Sequence, residues 1–141
     1  KQAMQKLITV NQQSWGSSDT YKTFALTPSG GFDDECIVKR IRVTIQVNCN
    51  QDITQDAYEP LYYSILQLQA DTPVPESAMY EQNAVIATGI ASAVAPAVYD
   101  HTITMRKLSG SSVYLCLQNP GTFGGSNVES NVVAQLHYVE S

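Results

Sequence analysis

The segment Glu35 to Cys49 changes side-chain character at almost every step. Its odd positions are Ile37, Lys39, Ile41, Val43, Ile45, Val47 and Cys49; its even positions are Val38, Arg40, Arg42, Thr44, Gln46 and Asn48. Successive side chains of an extended strand point to opposite faces, so this pattern writes an apolar face backed by a polar one, with Lys39 the exception on the apolar side. A helix would scatter the same residues around its circumference. A long strand with one oily face needs a second layer to bury it.

The same period recurs along the chain. A second strand is expected from Leu61 to Ala70, where Leu66, Leu68 and Ala70 alternate with Gln67 and Gln69. A third spans Val98 to Leu108, with Tyr99, Ile103 and Met105 set against Thr102, Thr104 and Arg106. A fourth, Ser112 to Gln118, puts Val113, Leu115 and Leu117 on one face, and a last, Val132 to Val139, groups Val132, Ala134, Leu136 and Tyr138. Weaker strands are expected at Lys6 to Gln12, Tyr21 to Leu26 and Ala84 to Thr88. Turn formers separate them: Thr27-Pro28-Ser29-Gly30-Gly31, Ser109-Gly110, and Asn119-Pro120-Gly121 through Gly125. Only Pro75 to Gln82 has helical character, a turn or two. About eight antiparallel strands joined by Gly/Pro turns read as an all-β, two-sheet sandwich or barrel.

The 141 residues are the size of one domain, and no linker or repeat divides residues 1–141. The chain is 43% hydrophobic, enough for a substantial core, yet only 15% charged, against about a quarter in ordinary globular chains. A surface so poor in charge and carrying eight tyrosines suits contacts with other protein surfaces, most simply copies of itself. The net charge of −5 disfavours nucleic acid binding by the domain as a whole. No run approaches the ~20 apolar residues that span a bilayer, so no membrane partner is expected. The first residue is Lys1 rather than Met, and upstream residues are expected to be missing.

Chemistry-bearing motifs are sparse. The two histidines, His101 and His137, sit in strands without a nucleophile motif, and structural roles are expected for both. Cys36, Cys49 and Cys116 are isolated from one another and from any histidine at ligand spacing, so they read as small hydrophobes rather than zinc ligands. Acids cluster at Asp33-Asp34-Glu35 and at Asp52, Asp56 and Glu59 in loops that could offer oxygen ligands to Ca²⁺, but the spacing is not that of an EF-hand. No glycine-rich phosphate loop opens a helix. The chain is therefore read as a non-enzyme with no catalytic residues, no metal and no cofactor. Five of its eight bases fall in two groups, Lys39-Arg40-Arg42 and Arg106-Lys107, and Arg40 and Arg42 share a face. They are the candidate contacts to nucleic acid or to a neighbouring subunit.

The acidic turn leading into Cys36-Ile37-Val38-Lys39-Arg40-Ile41-Arg42-Val43 resembles the first long core strand of coat proteins of small single-stranded DNA viruses. The block Asp100-His101-Thr102-Ile103-Thr104-Met105-Arg106-Lys107-Leu108-Ser109-Gly110, the strand Ser112-Val113-Tyr114-Leu115-Cys116-Leu117, a Gly-rich loop and a terminal strand extend the likeness from Asp33 to Glu140. The resemblance implies a single jelly roll of about eight strands in two four-stranded sheets. It further implies a capsid subunit that self-assembles into an icosahedral shell, located in the virion and enclosing a nucleic acid genome. Such coats commonly carry a basic N-terminal arm that binds the genome. Here the start, Lys1-Gln2-Ala3-Met4-Gln5-Lys6, has two bases, so such an arm would have to lie upstream. Subunit contacts are expected in Gln51 to Pro60, Asp71 to Asn83 and Asn119 to Ser130. Two alternatives are a filament subunit and a secreted β-sandwich binding module, carbohydrate-binding or adhesin. The latter would use Tyr58, Tyr62, Tyr63 and Trp15.

Overall fold

The computed structural model describes residues 4–16, 19–31, 35–49, 61–69, 73–75, 79, 83–91, 97–107, 110–118 and 128–140, with the backbone alone at 48, 49, 104–107 and 128. Eight strands account for most of them. They are β1 (Gln5–Trp15), β2 (Tyr21–Ala25), β3 (Cys36–Cys49), β4 (Leu61–Gln69), β5 (Val85–Ala91), β6 (Ala97–Lys107), β7 (Ser111–Gln118) and β8 (Val128–Glu140). Each expected strand is present. β1 and β8 run furthest past their expected ends, because the polar stretches Gln12–Trp15 and Val128–Asn131 pair with each other. A ladder partner satisfies backbone groups whether or not the side chains are apolar.

All pairings are antiparallel and form two four-stranded sheets, β1-β8-β3-β6 and β2-β7-β4-β5. Within them β1 pairs with β8, β2 with β7, β3 with β6 and β4 with β5, as if one long hairpin had been rolled up. Every connection except β4–β5 crosses from one sheet to the other. This is the jelly-roll arrangement. Among the described residues there is no α-helix. The expected turn of helix at Pro75 to Gln82 lies outside them apart from Pro75 and Met79.

The space between the sheets is filled by Phe24, Leu26, Val38, Ile41, Val43, Ile45, Leu61, Tyr63, Ile65, Val113, Leu115, Leu117, Val132, Ala134 and Leu136, all buried. The faces expected for β7 and β8 are the faces found. In β3 the expectation needs correcting. Cys36 and Val38 are buried and Ile37 is only half-buried, whereas beyond Lys39 the buried positions are Ile41, Val43 and Ile45. The register against both β6 and β8 shifts between Val38 and Arg40. A β-bulge there changes the strand's parity, and Lys39, the misfit in the sequence alternation, is the residue at which it happens.

Two side-chain bonds tie β1 to β2 across one edge of the sandwich. Thr9 Oγ1 donates to the Leu26 carbonyl at 3.0 Å, and the Gln13 amide donates to the Thr23 carbonyl. A second, smaller cluster lies outside the β2-β7-β4-β5 sheet, where Leu66 and Cys116 pack under Met79 and Ala84. Leu66 and Leu68 alternate with their glutamines as expected, but they face this outer cluster. The inter-sheet positions of β4 are Leu61, Tyr63 and Ile65.

Candidate interaction face

Antiparallel pairing puts directly opposite residues on the same face, so the outward surface of β1-β8-β3-β6 can be laid out row by row. One row reads Lys6, His137, Arg40 and Thr102 across the four strands. The next is Ile8, Gln135, Arg42 and Asp100, followed by Val10, Val133, Thr44 and Val98. Gln12, Asn131 and Gln46 come after, and Glu129 lies beyond them, accepting a 2.6 Å hydrogen bond from Gln12 Nε2.

Three features distinguish this surface. Val10, Val98 and Ile8 are 73%, 55% and 53% exposed, which places an apolar band across the middle of the sheet. Cations lie to one side of that band. Arg40 holds the Asp100 carboxylate with two hydrogen bonds, one of them at 2.7 Å from Nε, and Arg42 Nε stands 3.5 Å from the same carboxylate. The Arg40 hydrogen bond outweighs desolvation and, with the charges of Arg40 and Arg42, keeps the Asp100 carboxyl below the usual carboxylate range. A shallow cleft of about 180 Å³ opens between Arg42, Thr44, Val98, Val133 and Gln135. Arg42 Nε and, one row away, His137 Nε2 are shut off from solvent without a hydrogen-bond partner among the described residues.

Of the five basic residues singled out in the sequence, the structure brings Arg40 and Arg42 together on this face. Lys39 is half-buried at the bulge. Arg106 and Lys107 close β6 opposite Ile37 and Cys36, and their side chains lie outside the described residues. Sequence reading missed Lys6 and His137 as members of the group. Their strand parity was legible, since His137 faces away from Leu136 and Tyr138, but strand order was not. The other histidine, His101, points between the sheets, and its Nε2 lies 2.7 Å from the Tyr63 hydroxyl. It is a structural link across the core edge.

The aromatic platform expected for a sugar-binding module does not form as a group. Trp15 is buried and donates from Nε1 to Ser130 Oγ at 2.8 Å; Tyr63 is buried in the core, and Tyr58 lies outside the described residues. Tyr62 alone of the described three is exposed. The acidic loop residues Asp33, Asp34, Asp52, Asp56 and Glu59 fall outside the described residues, as do 51–60, 119–127 and most of 71–83. Among the described residues, no three His, Cys, Asp or Glu side chains gather to hold a metal, and no helix is long and apolar enough to cross a membrane.

No family model and no curated protein matches the chain. Among solved structures, the K3 cleaved adhesin domain of Lys-gingipain from Porphyromonas gingivalis W83 is similar over 90% of this chain and 69% of its own, at 12% identity and a TM-score of 0.39.

Proposed function

We propose that the chain is a structural coat subunit that self-assembles into a closed viral shell around a nucleic acid genome. The observation carrying this reading is the outer face of β1-β8-β3-β6, where exposed Ile8, Val10 and Val98 form a band bordered by Lys6, Arg40 and Arg42. An apolar band of this kind on a chain only 15% charged is what repeated subunit contacts require. The basic row beside it supplies the sign of charge that phosphates select. Jelly rolls serve in viral capsids and in lectins alike, so the fold by itself does not choose between them. The chemistry of the face favours the coat.

The assembly state of the purified chain, by light scattering with negative-stain imaging, tests the reading. Uniform particles of many subunits are expected, with an ultraviolet absorbance ratio that reveals packaged nucleic acid. A monodisperse monomer that persists when upstream residues are supplied overturns it. Substituting Arg40, Arg42 and Arg106 by Ala lowers nucleic acid content if the basic row meets the genome. Unchanged content removes that part of the proposal.

A further inference from the structure

The outward face of the other sheet is divided in two. In one half Leu66 of β4 and Cys116 of β7 are buried against Met79 and Ala84, with Val85 of β5, the cross-strand partner of Leu66, packed at their side. Both covering residues belong to the connection between β4 and β5 and are tied to β4. Ser64 Oγ donates to the Met79 carbonyl at 3.1 Å, and Gln67 N donates to the Ala84 carbonyl at 2.9 Å. Beyond that cover a cavity of about 510 Å³ opens over the cross-strand row Gln118, Tyr62 and Ile90, with Thr88 exposed beside it and the buried Ser64 and Met79 at its inner end.

The makeup of this cavity selects among ligands. Tyr62, on the middle strand of the three, is 47% exposed, and its neighbour Ile90 is 59% exposed. An aromatic ring and a branched aliphatic side chain side by side form an apolar shelf in the middle of an otherwise polar setting. Thr88 adds an exposed hydroxyl and Gln118 a carboxamide, while Met79 closes the end. No charged side chain is among the described lining residues, so none of these offsets the desolvation of an ionic ligand. The volume lies within the 300–1,000 Å³ usual for small-ligand sites, in the lower part of that range. The complementary molecule is flat, uncharged, apolar on one face and rich in hydroxyls along its rim. A pyranose ring has those properties, its axial C–H bonds forming one face and its hydroxyls the edge.

We propose that this cavity is a binding site for a neutral saccharide, with Tyr62 as the stacking platform, Ile90 as its apolar flank, and Thr88 and Gln118 as hydrogen-bonding partners of the sugar hydroxyls. The site lies on the sheet opposite the basic and apolar interaction face.

The test is saturation-transfer NMR on the intact chain with the methyl pyranosides of glucose, galactose, mannose and N-acetylglucosamine. At least one is expected to receive saturation on the protons of a single ring face. Tyr62→Ala weakens that sugar about tenfold, as loss of a central aromatic anchor does. Tyr62→Phe keeps the stacking and binds as the parent does, and Thr88→Val weakens binding by a smaller factor. Should Tyr62→Ala alter the melting transition, Ile90→Ser provides the same reading from an already exposed position. The proposal is overturned if none of the pyranosides is saturated. It is also overturned if binding survives Tyr62→Ala, or if Tyr62→Ala instead disrupts association of subunits with no sugar bound, which would make the cavity a seat for a second copy.

Discussion

A methyl group added at Gly89 would strike the hydroxyl end of the Tyr63 ring. A Cβ built there lies 2.5 Å from the Tyr63 hydroxyl oxygen and 2.6 Å from both Cε2 and Cζ. Restoring ordinary carbon contact requires the ring to move by about 1 Å, and it has little freedom to do so. Tyr63 is 3% exposed, its hydroxyl meets His101 Nε2 at 2.7 Å, and its ring lies 5.1 Å from that of Tyr99. Overpacking a core in this way costs roughly 1–3 kcal/mol. Losing the hydroxyl's bond to His101 adds about 1 kcal/mol. Removing glycine from a strand interior returns about 0.5–1 kcal/mol. Gly89→Ala should therefore destabilise the fold by about 2 kcal/mol, a fall in melting temperature on the order of 8 °C for a chain of this size.

Urea denaturation in a double-mutant cycle with Tyr63→Leu isolates the cause. Without the ring, Gly89→Ala should be neutral or slightly stabilising. An equal cost in the two backgrounds, or none in either, would refute the steric argument. A pH series provides a second check. Burial, and then the neighbouring Tyr99, raise the Tyr63 phenol above its ordinary value. Folding thus favours the neutral phenol, so this stability is fully present below about pH 10, the unfolded value, and is lost as pH rises past it. Tyr63→Phe removes that alkaline loss.

Three further outcomes follow from the bulge, the thiols and the acid on the interaction face. Deleting Lys39 leaves Val38 and Arg40 adjacent with their inward and outward faces unchanged and evens the register against β8, at the cost of a wider bulge in β6, so the chain should still fold but with lower stability. Deleting Arg42 flips one side of β3 and expels core side chains worth ~1.5–3 kcal/mol each, which should abolish the cooperative melt followed by circular dichroism. Burial pushes the Cys116 thiol up to about 11, and Cys36 is equally buried. In a Cys49→Ser variant at pH 8, neither should react with a thiol reagent until denaturant is added; fast native labelling would contradict their packing. Asp100 has its carboxyl depressed chiefly by Arg40, so its contribution is present above the unfolded value near 4 and lost as pH falls through the folded one. Asp100→Asn should remove that acid-side loss and tighten single-stranded DNA binding, while the Arg40→Ala/Arg42→Ala pair should flatten its salt slope by about 1.4, at ~0.7 per phosphate contact. An unchanged slope would place both arginines away from phosphate.

Much of this architecture was legible because a strand declares its two faces locally. Val113, Leu115 and Leu117 in β7, or Val132, Ala134 and Leu136 in β8, need no knowledge of the partner strand to be read as inward. The errors arose where a face depends on something distant. Unbroken alternation groups Ile37 with Ile41, yet the bulge is set by pairing with β6 and β8, and its only local trace is a lysine on the wrong side. Leu66 reads as core from its own segment, but the residues that cover it are Met79 and Ala84, from beyond its strand. The interaction face shows the same limit in functional form. Lys6 and His137 are 131 positions apart in the numbering of the chain, and they become neighbours of Arg40 only because the rolled hairpin lays β1 against β8 and β8 against β3. Likewise Tyr62 and Tyr63 are adjacent in sequence and read as one aromatic cluster, but the pleat sends Tyr63 into the core and leaves Tyr62 outside. Periodicity fixes which side of a strand a residue occupies; only strand order fixes the neighbours with which it can act, and here every candidate site is a product of that order.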